Sequence, residues 1–298
     1  MPGCELRSTE GAWVTIARPR RVDEAAAALA EMPDAHLLAG GTDLMVEVNL
    51  GHRRPEAIVA LRRVEELGAH RVEPDRLELG ATVTYTTIER QLADVAPGLA
   101  MAARTVGSPQ IRNAGTVGGN VGTASPAGDA LPWLLALDAE VVLASTAGER
   151  VLPLAAFITG PKRTDRRPDE LIRCVRVPRV AGPQHTAKVG TRNAMVISVV
   201  SLAMIVDTDA RRVRVGLGSV GPTPLRPTAA EDLASDALDW GALTCDDDSV
   251  TAFAAACAAA ASPIDDHRST ADYRRHAVGV LAARCLRRCL DAAPEGAT

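Results

Sequence analysis

Three shortages narrow the reading of this sequence: few cysteines, no long apolar run and no surplus of positive charge. The six cysteines stand at 4, 174, 245, 257, 285 and 289. They form no CxxC pair and no framework of close spacings, which excludes a disulfide-stapled scaffold and the commonest zinc modules. Cys285 and Cys289 lie one helical turn apart. A metal would accept that spacing, but small buried or half-buried helix residues account for it more simply. The longest apolar runs, Val196–Val206 and Ala252–Ala261, fall short of the roughly 20 residues that cross a bilayer. Met1–Glu10 has neither an apolar core nor a small-residue cleavage site, so no secretory leader is expected and the cytoplasm follows by elimination. A net charge of −4 carries no basic footprint for nucleic acid. The arginines of Arg18–Arg21 and Arg274–Arg275 are interleaved with acids and read as solvated faces.

Ready-made catalytic constellations are missing too. There is no GxxxxGK[ST] loop and no HExxH, which removes the P-loop hydrolases and the zinc proteases. Ser125 stands in Ala-Ser-Pro, not in a nucleophile elbow. The histidines at 36, 52, 70, 185, 267 and 276 are dispersed and read as ordinary surface or core residues.

What is present is the composition of a globular protein: 298 residues, 47% hydrophobic and 23% charged, enough for one large domain or two ordinary ones. Up to about residue 60 the chain alternates extended and helical signals. Trp13–Ile16 reads as a strand, Asp23 as the N-cap of an Ala-rich helix ending before Pro33, and His36–Ala39 and Ile58–Leu61 as buried strands. This βαβ rhythm points to helices packed on a sheet.

From about 65 to 177, Leu77–Thr84 alternates as a half-buried strand. Helices are expected at Thr86–Leu92 and Ala100–Val106. A glycine-rich loop, Asn113–Gly122, leads to a helix starting near Asp129, and Val141–Ser145, Val151–Leu152 and Glu170–Val177 read as strands. Pro178–Pro183 looks like a linker. Beyond it, strands at Val196–Val206 and Val213–Leu217 are followed by helices at Thr228–Leu233, Ser249–Ala261 and Thr270–Leu290, the pattern of a separate α+β domain.

Two stretches carry chemistry: Leu38-Ala-Gly-Gly-Thr-Asp-Leu44 and Gly115-Thr-Val-Gly-Gly-Asn-Val-Gly-Thr-Ala-Ser-Pro126. Each holds a Gly-Gly pair flanked by hydroxyl residues. Without Cβ atoms, consecutive backbone N–H groups turn inward and form an anion-binding nest suited to a pyrophosphate. Two such loops would close on one diphosphate from both sides; two ordinary turns are the plain alternative. Asp43 and Asp129 repel phosphate and fit sugar or ribityl hydroxyls, or fix their own loops. Gly216-Leu-Gly218-Ser-Val-Gly221 matches the dinucleotide fingerprint. That motif must open a helix, however, and Pro222, Pro224 and Pro227 prevent one, so it reads as a strand ending in a turn.

Over essentially its whole length the chain resembles the FAD-binding medium subunit of the xanthine dehydrogenase and carbon monoxide dehydrogenase type, the molybdenum hydroxylases. The segments that carry the resemblance are the two glycine loops, Gln110–Asn120, Ala124–Asp129, Leu134–Ala139, Phe157–Gly160, Arg167–Ile172, Lys188–Arg192, Gly216–Gly221 and Asp266–Arg274. It implies an α+β fold. A two-part FAD-binding domain of the PCMH/vanillyl-alcohol-oxidase-like type occupies 1–178, with parts of about 1–60 and 61–178. A C-terminal α+β domain, with a small antiparallel sheet and helices, occupies 184–292.

Carried over residue by residue, the resemblance implies that Leu37, Leu38, Ala39, Gly40, Gly41, Thr42, Asp43 and Leu44 wrap the FAD diphosphate from one side. Thr116, Gly118, Gly119 and Asn120 hold it from the other, with Thr123 near the ribityl chain. Asp129 binds a sugar or ribityl hydroxyl, Ile172 lies against the isoalloxazine ring and Lys188 sits near its polar edge; Ile172 is equally a core strand residue. The FAD is expected to be non-covalent, and no metal is expected on this chain. The molybdenum cofactor belongs to a large partner subunit and the [2Fe–2S] clusters to a small one, in a heterotrimer, doubled. Electrons arrive from the clusters and leave to NAD, oxygen or a quinone. The competing readings are a self-sufficient FAD-dependent oxidase of the same fold and a FAD-free scaffold subunit.

Overall fold

The computed structural model describes residues 4–7 and 13–292. Most of the Met1–Glu10 stretch read for a leader therefore lies outside the described residues. The first part contains β1 (Cys4–Arg7), β2 (Trp13–Ala17), α1 (Val22–Glu31), β3 (His36–Leu38), α2 (Leu44–Asn49) and β4 (Ala57–Ala60). The sheet order is β1-β2-β4-β3, with β4 parallel to both β2 and β3. Helix α1 forms from an Ala-rich run and buries Ala25, Ala26 and Leu29. Its N-cap is Arg21, not Asp23 as the sequence suggests. Asp23 lies one step inside the helix, where its carboxylate accepts from Glu24 N–H and suits the positive end of the helix dipole. Strand β3 is half-buried, not buried, because it forms an edge of the sheet.

The second part begins with α3 (Glu65–Gly68), β5 (His70–Val72) and β6 (Arg76–Gly80). Five helices follow: α4 (Tyr85–Gln91), α5 (Pro97–Arg104), α6 (Pro109–Ala114), α7 (Val117–Thr123) and α8 (Leu131–Ala136). Then come β7 (Glu140–Ser145), β8 (Gly148–Pro153), α9 (Leu154–Phe157), the short pair β9 (Ile158–Gly160) and β10 (Arg163–Thr164), and β11 (Leu171–Pro178). Strands β5-β6-β11-β7-β8 form one antiparallel sheet. Strand β6 stops at Gly80, short of the expected Thr84, whose hydroxyl instead caps α4 by accepting from Thr87 N–H at 3.1 Å. Helix α5 starts earlier than its apolar run, at Pro97, a favoured first residue. The glycine-rich stretch expected as a loop is largely helical, in α6 and α7.

The third part has β12 (Gln184–Val189), β13 (Val200–Asp207), β14 (Arg212–Gly218), α10 (Thr228–Ala237), α11 (Asp247–Ala260) and α12 (Ala271–Asp291). Its three strands form an antiparallel sheet in chain order. Every residue of β13 is buried, and its two faces belong to different cores. Ala203 and Ile205 pack with the second part, while Leu202, Met204 and Val206 pack under the C-terminal helices. The C-terminal sheet is thus sandwiched between α5 and α8 on one side and the last three helices on the other. Helix α8 accordingly buries all six of its residues, the signature of a helix with no solvent face. Gly216 lies against it: a Cβ there would stand 1.8 Å from Pro132 O, so the apparent dinucleotide motif serves packing. Cys285 and Cys289 sit in the C-terminal core, where burial pushes both thiols up to about 12. Among the described residues no helix is long and apolar enough to cross a membrane.

Candidate cofactor-binding site

The first glycine loop leaves the edge strand β3, where Leu37 and Leu38 sit opposite Val59 and Ala60, and enters α2 at Leu44. Gly41 has φ +73°, a left-handed conformation that a side chain would strain. Gly40 is needed for a different reason, since a Cβ there would stand 1.8 Å from Ala114 O at the end of α6. The two glycine segments therefore touch. The N–H groups of Gly40, Gly41, Thr42 and Asp43 have no acceptor within the described protein. Four consecutive free donors can cradle an anion. Asp43 faces the second segment through its side chain, accepting from Thr123 Oγ at 3.0 Å.

The second segment works otherwise than its sequence suggests. Thr116 caps α7, its hydroxyl accepting from Gly119 N–H at 3.0 Å. Val117 N–H donates to Val83 O and Gly118 N–H to Ala81 O, both at 3.0 Å, and Asn120 N–H donates to Thr116 O. These donors are engaged within the protein, so this stretch is no second open nest. Its glycine at 118 instead lets α7 lie on the chain after β6: a Cβ would stand 2.5 Å from Ala81 Cβ. Helix α7 ends at Ala124, whose carbonyl accepts from Lys162 N–H at 3.0 Å.

Deeper in, Lys188 from β12 reaches across the seam between the two parts. Its Nζ stands 2.9 and 3.0 Å from the Asp129 carboxylate oxygens and donates to Thr105 O at 3.1 Å. Burial pushes the Asp129 carboxyl up to about 6, and the Lys188 charge opposes that rise. Ile172, buried on β11, points its Cδ1 toward Gly122 of α7, 3.4 Å from where a Cβ would stand. Loop, helix, ion pair and apolar wall thus converge on α7.

Sequence reasoning missed two groups of residues here. The first is an ion-pair cluster beside the first loop. Lys162 Nζ lies 2.8 Å from Glu47 Oε1, Arg53 also pairs with Glu47, and Arg53 Nη1 lies 3.1 Å from His36 Nε2. The two cations hold the Glu47 carboxyl below its ordinary value through hydrogen bonds, Lys162 first. Scattered charges give no sequence signal of such a cluster. The second is Tyr85, a buried aromatic at the start of α4 that no motif marks.

Comparison with known proteins matches the chain to two family models. Residues 10–180 match the FAD binding domain in molybdopterin dehydrogenase. Residues 185–289 match the CO dehydrogenase flavoprotein C-terminal domain. The chain is 35% identical over 228 residues to the nicotinate dehydrogenase FAD-subunit of Eubacterium barkeri, covering 72% of this chain and 77% of that protein. It is 30% identical over 283 residues to the xanthine dehydrogenase FAD-binding subunit of Escherichia coli O157:H7, covering 89% and 92%. Among solved structures it is similar to a chain of the carbon monoxide dehydrogenase of Hydrogenophaga pseudoflava that lacks the Mo-pyranopterin moiety. There the TM-score is 0.82 at 27% identity, covering 98% of this chain and 99% of that one.

Proposed function

The chain belongs to the FAD-binding medium subunits of the molybdenum hydroxylases, and from that premise we propose that it is the electron-transfer subunit of a multi-subunit enzyme, standing between [2Fe–2S] clusters on a small partner and an acceptor such as NAD. The observation that carries this reading is the run of four free N–H groups at Gly40–Asp43, closed against α7 and followed by the buried Asp129–Lys188 pair. An anion, a polar chain and an apolar ring system fit these surroundings in that order. Bound FAD supplies the one- and two-electron chemistry that the amino-acid side chains lack.

Each part of the site then has a task in that reading. Residues Leu37 to Leu44 hold the diphosphate through backbone donors. Thr116, Gly118, Gly119 and Asn120 shape the opposite wall by their packing, and Thr123 ties that wall to Asp43. Asp129 takes a hydroxyl of the ligand. Ile172 lies against the ring, and Lys188 keeps a positive charge at the seam, where it favours a reduced, anionic ring. The FAD is held non-covalently in this reading.

The molybdenum cofactor is assigned to a large partner subunit, and the complex to a dimer of heterotrimers in the cytoplasm. Similar proteins act, by their names, on nicotinate, xanthine and carbon monoxide. One flavoprotein architecture serving such different molecules supports assigning substrate choice to the molybdenum chain. The test is co-expression with the neighbouring genes, followed by purification through this chain alone. Both partners should co-purify, and acid precipitation of the complex should release free flavin, read by its fluorescence. Gly40→Ala, which drives a Cβ into Ala114 O, should release none. A wild-type complex that contains no flavin would reject the reading, and flavin that stays with the precipitated protein would reject non-covalent attachment.

A further inference from the structure

Three buried polar atoms at or near the Asp129 ion pair make no hydrogen bond: Asp129 Oδ1, the Tyr85 hydroxyl and Asn120 Oδ1. Lys188 Nζ meets the first in an ion pair at 2.9 Å, which leaves the other two. Buried polar atoms are nearly always paired, so an unpaired one beside a binding site calls for a partner from the ligand or from water. Tyr85 is 3% exposed and firmly placed. It is the first residue of α4, its N–H donates to Gly115 O at 3.1 Å, and its ring lies beside Gly115. The phenol is therefore set by the turn that joins α6 to α7. The Asn120 amide, on α7, borders the turn before Asp129: its nitrogen and oxygen stand 2.9 and 3.1 Å from where a Gly128 Cβ would be. Asp129 is near enough for its charge to act on the phenol, whose ionisation is already suppressed by burial. The Asp129 carboxylate is itself taken by Lys188.

The two unpaired atoms have opposite needs. The phenol has a proton to give, and the amide oxygen can only accept. A phosphate or carboxylate oxygen would satisfy Tyr85 and leave Asn120 bare, and an ammonium group would do the reverse. A hydroxyl satisfies both, accepting from Tyr85 and donating to Asn120. We propose that Tyr85 and Asn120 jointly clasp one hydroxyl of the bound FAD, making Tyr85 a cofactor-positioning residue and moving Asn120 from the diphosphate to the polyol. This rests on the FAD reading above. A water molecule could bridge the same two atoms, and the test separates it from a ligand hydroxyl.

The experiment titrates FAD into the flavin-stripped full chain, with the subunits that co-purify, and follows flavin fluorescence, visible circular dichroism and melting. Tyr85→Phe should weaken FAD binding about 5–10-fold and alter the dichroism of bound flavin. The flavin-free Tyr85→Phe protein should melt no lower than wild type, because an unpaired hydroxyl has been removed. Asn120→Leu should weaken binding too, and the double variant should lose less than the two single losses combined, since one hydroxyl serves both residues. Competition by ADP identifies the hydroxyl. If ADP also weakens in Tyr85→Phe, it belongs to the ribose; if only FAD weakens, it belongs to the ribityl chain. FAD affinity within about twofold of wild type in Tyr85→Phe would overturn the clasp in favour of a bridging water, and independent losses in the double variant would overturn the shared hydroxyl. A wild-type chain that binds no FAD would instead reject the function on which the clasp rests.

Discussion

An ammonium and a carboxylate buried together at a seam each give up water, and only good mutual geometry offsets that loss. Lys188 and Asp129 meet the condition at 2.9 Å, with Thr105 O as a third partner. The folded Asp129 carboxyl titrates near 6 against an ordinary 3.8, so the folded chain holds this proton more tightly than the unfolded one. The stability gained from the proton is complete below about pH 4 and is lost as pH rises through about 6. Lys188→Met removes the charge that restrains the shift. It should move the Asp129 transition further above 6 and lower stability at neutral pH, where the buried carboxyl must either take up a proton or stand as an unpaired charge. Melting temperatures of the flavin-free chain from acid to neutral pH check this, and a curve parallel to wild type throughout would refute the coupling. Both residues stand out in the sequence by resemblance. Their pairing does not, because 59 positions separate them and no periodicity links a turn to a strand at that distance.

The glycines of α7 show what a motif hides at the level of the element. A Gly-Gly pair between hydroxyl residues reads as an open nest, yet the surrounding backbone takes up the donors of Val117, Gly118 and Asn120. The first loop keeps its donors free because an edge strand feeds it and nothing pairs with it. Substitutions should separate the two uses of glycine. Gly118→Ala forces a Cβ to within 2.5 Å of Ala81 and should destabilise the chain by about 1–3 kcal/mol. Gly122→Ala meets only Ile172 Cδ1 at an ordinary 3.4 Å, and should stabilise the flavin-free helix by up to about 1 kcal/mol. Thermal melts of the two variants should therefore move in opposite directions. Equal losses would mean that α7 tolerates no Cβ on either face.

For the molecule as a whole, the decisive feature is the sheet shared between its parts. Gln184, Thr186 and Lys188, alternate residues of β12, all bond to the FAD-binding side. Gln184 accepts from Trp133 Nε1 at 2.9 Å, Thr186 donates to Gly98 O at 2.8 Å, and Lys188 takes Asp129. Ala187 and Val189, on the alternate positions, pack on the C-terminal core. Full-length protein should consequently melt in one transition. A chain truncated after Pro183 loses Ala203 and Ile205 from its core and the cover over α5 and α8, so it should be insoluble or melt without cooperativity. A truncated chain that melts sharply would show the halves to be independent.

Local pattern, in the end, determined the order of elements in this chain. Apolar alternation marked β6, an Ala-rich run marked α1, and prolines ruled out a helix after Gly221, because these depend on neighbours within a few residues. The glycine loops also suggested an anion site at this level. Only the tertiary structure decided which loop keeps its donors, since that depends on whether distant backbone carbonyls reach them. It also decided that β12 exists, because its inward polar residues earn their place through partners on another domain rather than through an apolar stripe. The pairing of Asp129 with Lys188 and the unpaired atoms of Tyr85 and Asn120 belong to the same class, for what is buried beside what is settled by packing and not by sequence spacing.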